Sequence, residues 1–256
     1  LLGNRGSGKS AIFKKVAYEK RTKGELVIEL TPENYSYEML QQSLKRESEG
    51  AWAKKGAFCS AWKFLIYVLS MKRLTADRGG YKKGDAAVIY KYLREKHANI
   101  EKHPIDTLIS YIQRIEGIKV GKYEGSIKTN ELHSLYKLEE IEPLMDALNR
   151  ITERKKVTVL VDELDSGWDN SDDAKAFISG LFQAAISINS KHQNLKVLIS
   201  LRKELYENIP DLYEDAQKVR DVIQNIDWNE EDLQRLICKR IIASSGNWNG
   251  KDDIDA

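Results

Sequence analysis

Two hydrophobic periods alternate along this chain. Short continuous apolar runs read as buried strands: "ELVIEL" at 25–30, "KVTVLVDELD" at 156–165 and "LKVLISLR" at 195–202. Thr31-Pro32 stops the first of these, and "QNIDW" at 224–228 is short enough to be a last strand. Between the runs the period is helical. "KSAIFKKVAYEK" places Ile12, Phe13, Val16 and Ala17 on one face. The long stretch 36–155 is mostly helical in pattern. Phe58, Trp62, Leu65, Ile66 and Leu69 recur at helical spacing, as do Val88, Ile89, Tyr92 and Leu93, and Leu108, Ile109, Ile112 and Ile115. "GIKVGKYEGSIKT" at 117–129 interrupts it with glycines and alternation, the pattern of a short hairpin. Further helices are expected at 140–155, at 170–190 with Asn170 or Ser171 as the cap, at 210–223 with Pro210 in the first turn, and at 229–244.

Strands alternating with helices predict an α/β fold with a mostly parallel sheet, whose ligands sit at the carboxyl ends of the strands. The expected core is 1–35 with 156–228. Residues 36–155 form a large, mostly helical insertion, and 229–256 begin a lid or C-terminal helical segment.

Apolar content of 41% supports a core, and 31% charge with four prolines fits a helix-rich chain. The longest apolar run, "FLIYVLSM" at 64–71, is too short to span a bilayer, so no membrane contact is expected. Cys59 and Cys238 provide neither a disulfide framework nor metal-ligand spacing, which points to a reducing cytoplasm. The net charge of +2 is unevenly spread. Residues 45–125 hold 17 Lys and Arg against 9 Asp and Glu, leaving an acidic remainder. Such a basic segment fits a nucleic-acid or acidic-partner surface, and a solvated helical face is the alternative. Within it Trp62 falls on the apolar stripe and reads as core. Trp52 lies beside Lys54 and Lys55 and reads as surface, and Lys82 and Lys83 extend the basic character.

The chemistry begins at the first residues. "LLGNRGSGKS" has the spacing G-x-x-x-x-G-K-S: Gly3, Asn4, Arg5, Gly6, Ser7, Gly8, then Lys9 and Ser10, with Ala11 opening the helix. Glycines let backbone N–H groups approach phosphates closely, and a helix N-terminus behind them favours an anion. Lys9 is expected on the outer phosphates and the Ser10 hydroxyl on Mg²⁺. Only Leu1 and Leu2 precede the motif, which reads as a chain cut inside its first strand.

A phosphate loop calls for a carboxylate at the end of a buried strand. "VTVLVDE" supplies Asp162 for Mg²⁺ and Glu163 to deprotonate an attacking water. Asp165 follows as a third acid. Ser200 and Arg202 end the strand "KVLISLR", where a cation senses a terminal phosphate. Arg220 is a second candidate arginine. "SGWDNSDD" lacks the ligand order of a calcium loop and reads as a turn with a helix cap. "DRGG" at 77–80 matches a GTPase pattern without a buried strand before it, and no N-K-x-D follows. ATP is therefore the expected nucleotide.

On "GNRGSGKS", "VTVLVDELD", "VLISLR" and the helix "WNEEDLQRLICKRI", the chain resembles additional-strand P-loop ATPases of the AAA+ and STAND kind. "DELDSGWDNSDDAKAFISGLFQAAISIN" is similar to a little-studied family of bacterial P-loop ATPases. The resemblance implies a P-loop nucleoside triphosphatase with ATP and Mg²⁺ as ligands. It also implies conformational work in larger assemblies by self-association or with a partner protein, and, by analogy, phage defence. In such ATPases the strand bearing Ser200 and Arg202 lies between the phosphate-loop strand and the Asp-Glu strand. The expected activity is ATP hydrolysis driving a switch or motor. The competing reading is a DNA-associated ATPase whose basic insertion binds nucleic acid.

Overall fold

A computed structural model describes residues 1–31, 51–76, 83–97, 141–164, 170–209 and 223–244. It contains strands β1 (Leu2–Gly3), β2 (Leu26–Leu30), β3 (Val157–Val161), β4 (Leu195–Ile199), β5 (Leu201–Arg202) and β6 (Asn225–Ile226). The helices are α1 (Lys9–Thr22), α2 (Ala51–Leu74), α3 (Asp85–His97), α4 (Met145–Arg154), α5 (Asp172–Lys191), α6 (Lys203–Glu207) and α7 (Glu230–Ser244). A 3-10 turn, Glu142–Leu144, leads into α4. The fold is α/β, as the alternating periods predict.

Among the described residues all the strand pairs are parallel. They form two three-stranded ladders, in the orders β2-β3-β4 and β5-β1-β6. β4 and β5 are consecutive pieces of one extended segment, interrupted at Ser200. There the chain changes partners. The Ser200 N–H donates to the Val161 carbonyl at 2.9 Å, and the next N–H, of Leu201, donates to Leu1 at 3.0 Å. Successive amides of extended chain point to opposite edges, so segment 195–202 joins the ladders. The strand order across both is β2-β3-β4/β5-β1-β6. This is why the single strand read at 195–202 appears as two pieces.

Both faces of the sheet are covered at β3, while Leu198 of β4 and Glu29 of β2 are exposed. β3 is buried along its whole length, which is why it reads as a continuous apolar run. Val157, Val159 and Val161 face a core shared with α2 and α5, while Leu160 and Val27 pack with Phe13 and Ala17 of α1. Each buried valine, leucine or phenylalanine among these contributes roughly 2 kcal/mol relative to exposure. α1 offers only a narrow face, Phe13 and Ala17 with Val16 half-buried. Ile12, expected on that face, is turned outward. In α3 the buried stripe is Ile89 and Leu93, and Val88 is exposed.

Trp62 is fully buried, as its place on the stripe predicts. Its Nε1 donates to the Phe177 carbonyl at 3.2 Å and its ring lies 4.9 Å from that of Phe177. Helix α2, although within the predicted insertion, thus shares one core with α5 and the sheet. Ser171 caps α5, its Oγ accepting the Ala174 N–H at 3.2 Å. Arg150 forks onto Asp85 at 2.9 and 2.7 Å, joining α4 to α3 at the surface and holding that carboxyl below its usual range. Among the described residues no helix is long and apolar enough to cross a membrane. The repeat at 108–115, the hairpin at 117–129 and nearly all of the helix at 210–223 lie outside the described residues. The short α6 is an element the periodicity does not reveal, because five residues show no repeat.

His192, at the end of α5, is buried between three elements. Its Nδ1 lies 2.6 Å from Asn149 Oδ1 of α4, and its Nε2 lies 2.9 Å from the Tyr67 hydroxyl of α2. Facing an amide oxygen, Nδ1 carries the proton, and Nε2 accepts from the tyrosine. Burial, with Lys191 and Lys196 nearby, lowers the imidazole pKa to about 4. The unfolded chain therefore binds this proton more readily than the folded one. The stabilisation is complete above the ordinary value of 6.5 and is lost as pH falls through about 4. Between about pH 7.5 and about pH 4.5, wild type is expected to lose about 2 kcal/mol more stability than His192→Gln. Denaturant melts at the two pH values test this, and equal losses would exclude the assignment.

Candidate functional site

The glycine loop connects β1 to α1 at the carboxyl edge of the sheet. Its residues are held by geometry that only glycine permits at three positions. Gly6 and Gly8 have φ of 81° and 88°. A Cβ on Gly3 would overlap Ser7 Oγ and lie 2.9 Å from the Ile226 carbonyl oxygen, so the loop closes over a position with no room for a side chain. Gly8 is the N-cap of α1. It offers no side-chain acceptor, and the first turn contains no acid. The helix therefore opens toward the loop with its terminal amides uncapped by any side chain, an electropositive end. Lys9 Nζ folds back on the loop, donating to the Gly3 and Asn4 carbonyls at 2.9 Å each. Asn4, Arg5 and Gly6 are exposed. Ser7 is buried, Ser10 is half-buried and Ala11 is exposed.

The strand register brings the other predicted residues to the same edge. Gly3 is paired with Arg202 on one side and with Ile226 on the other. Val161 is paired with Ile199, so Asp162 and Ser200 are the next residues on adjacent strands. The Asp162 N–H donates to the Leu30 carbonyl at 3.0 Å, and its Oδ1 accepts the Glu163 N–H at 2.9 Å. Asp162 is half-buried and Glu163 exposed. Glu163 has a φ of 58°, a left-handed conformation that costs a non-glycine residue about 1 kcal/mol. The strain sits on the carboxylate singled out for chemistry. Arg202 is half-buried beside the loop.

Two buried hydroxyls mark this edge. Ser7 Oγ in the loop and Ser200 Oγ at the strand switch have no hydrogen-bond partner among the described residues. A buried polar group without a partner is costly, so both are sites where a polar ligand would be favoured. Asp165 and Arg220 lie outside the described residues, as do Lys82 and the side chains of Trp52, Lys54 and Lys55. Lys83 is exposed.

Sequence reasoning missed Trp228 as a site residue. It follows β6 by two residues, and its Cζ2 lies 3.7 Å from where a Cβ on Gly8 would stand. Nothing in local spacing signals this, because the contact arises from the pairing of β6 with β1. A cavity of about 490 Å³ lined by Arg21, Glu29, Lys72 and Arg73 lies at the other end of α1. Arg21 is roughly 18 Å along the helix from Lys9, so that cavity is not part of the glycine-loop edge.

No family model matches the chain, and no solved structure matches it. Among curated proteins it is similar to the "Putative transposon gamma-delta 80.3 kDa protein" of Escherichia coli strain K12, 20% identical over 246 residues. The match covers 94% of this chain and 34% of that protein. The chain thus spans about a third of the length of the curated relative it matches.

Proposed function

We propose that this chain is a Mg²⁺-dependent ATP-binding and ATP-hydrolysing module, acting as a conformational switch or motor in a larger bacterial assembly. The observation that carries the reading is one sheet edge holding the glycine loop, Arg202, Ser200 and the Asp162-Glu163 pair, with the loop strand and the acidic strand separated by one strand. The donor set fits the ligand. Loop amides and the uncapped start of α1 suit phosphate, and the absence of a side chain at Gly3 lets the loop close tightly on Ser7 and Ile226. In this reading Lys9 leaves its loop carbonyls for the outer phosphates, Ser10 and Asp162 hold the metal, and Arg202 answers charge on the terminal phosphate. Bound Mg²⁺ neutralises phosphate charge and polarises the transferring group. Glu163, exposed beside Asp162, accepts the proton of the attacking water.

Lys9→Ala tests the binding half. Removing the ammonium is expected to weaken Mg-ATP by at least about tenfold in a titration of the folded variant, as expected for a lost charge-assisted contact. Unchanged affinity would exclude the loop as the phosphate site.

A DNA-associated ATPase is the second reading. It is favoured by the transposon name of a relative aligned over nearly the whole chain and by the surplus of basic residues in 45–125. DNA is then expected to stimulate ATP turnover, with a steep loss as salt rises. Turnover indifferent to DNA at low salt leaves the switch reading alone.

A further inference from the structure

We infer that Trp228 is the platform on which the planar base of the nucleoside triphosphate stacks. The inference rests on the proposed reading of Gly3–Ser10 as a phosphate loop, and names the part of the ligand that the loop itself does not recognise. The register places the tryptophan. β6 runs parallel to β1 with Ile226 beside Gly3, and the Leu2 N–H donates to the Gln224 carbonyl at 2.8 Å. The chain therefore leaves β6 alongside the loop, and Trp228 reaches Gly8, the residue that opens α1.

The indole is 40% exposed, while Trp62, the other tryptophan whose surroundings are described above, is fully buried. A large apolar ring thus stays partly in water next to a loop of polar amides. A nucleotide whose phosphates lie on those amides carries its base one sugar's length away, within reach of a ring whose Cζ2 stands 3.7 Å from the Cβ position of Gly8. An indole face accepts any base by stacking, with no hydrogen-bond code. The competing role is local. Trp228 precedes Asn229, whose Oδ1 accepts the Asp232 N–H at 2.7 Å and caps α7, so the indole occupies the position that can staple onto Leu233. Leu233 is 42% exposed, so both residues keep about two fifths of their surface in water. Because Trp228 directly precedes the cap residue of α7, a stacked base would also tie nucleotide occupancy to the start of that helix.

Calorimetric titration of wild type, Trp228→Ala and Trp228→Phe with Mg-ATP and with Mg-tripolyphosphate tests the inference. Tripolyphosphate offers the phosphates without sugar or base. Trp228→Ala is expected to weaken ATP about tenfold or more and to leave tripolyphosphate unchanged, and Trp228→Phe to retain most of the ATP affinity. Equal losses for both ligands would make Trp228 a support for the loop and overturn the stacking role. So would unchanged ATP affinity in Trp228→Ala. If wild type takes up neither ligand, the phosphate-loop reading falls, and the stacking role falls with it. If wild type takes both and only the Trp228 result fails, the loop reading stands.

Discussion

Glu163→Gln is expected to keep Mg-ATP affinity near wild type and to lose turnover by roughly a thousandfold, within the usual range for loss of a positioned general base. Glutamine preserves the length and the hydrogen-bonding shape of the side chain but cannot take a proton. The backbone supports the choice of this residue over its neighbour. Asp162 is half-buried and oriented by the Glu163 amide, the situation of a ligand that must stay still. Glu163 is exposed and held at positive φ, so the backbone leaves the strand path at this residue and its side chain is open to water. Single-turnover and steady-state assays with matched binding measurements separate the two effects. Wild-type turnover in the variant would pass the role to another acid, with Asp165 next in line. Loss of binding together with turnover would instead make Glu163 part of the metal or phosphate site.

Gly180→Ala is expected to destabilise the fold by about 2 kcal/mol, although the substitution lies inside a helix where alanine is normally the better residue by about 1 kcal/mol. Gly180 is where α5 crosses α2. A Cβ there would stand 2.6 Å from Phe58 Cβ, 2.8 Å from the Cys59 nitrogen and 2.9 Å from the Phe58 carbonyl carbon. Two of these atoms are backbone, so no rotamer change relieves the contact and the helices must separate. Separation would loosen the packing of Phe58 and Trp62 on Phe177, whose rings meet at 5.6 and 4.9 Å. The sign of the change is the test. If Gly180→Ala melts at or above the wild-type temperature, the crossing has slack that these distances deny. The effect should appear in stability, with ATP affinity of the folded variant unaffected.

The sequence alone determined what depends on neighbours along the chain. The continuous apolar run Val157 to Val161 has to be a strand buried on both faces, and it is. A cap at Asn170 or Ser171 and the stripe containing Trp62 follow from period and spacing, because helix geometry is local, and the structure selects Ser171. The glycine spacing from Gly3 to Gly8 is likewise visible in the letters, since positive φ is a property of single residues. Relations between strands needed the tertiary structure, because pairing joins residues about two hundred positions apart. It decided that Gly3 lies between Arg202 and Ile226, that the strand read at 195–202 breaks at Ser200 to serve two neighbours, and that Trp228 arrives at Gly8. It also decided which half of an amphipathic pattern is used. Ile12 and Val88 belong to apolar stripes yet face outward, because α1 and α3 each meet the core through a face only two main residues wide. Gly180 is the clearest case. Along the chain it is a weak helix residue, and only the approach of α2 turns the missing side chain into a packing requirement.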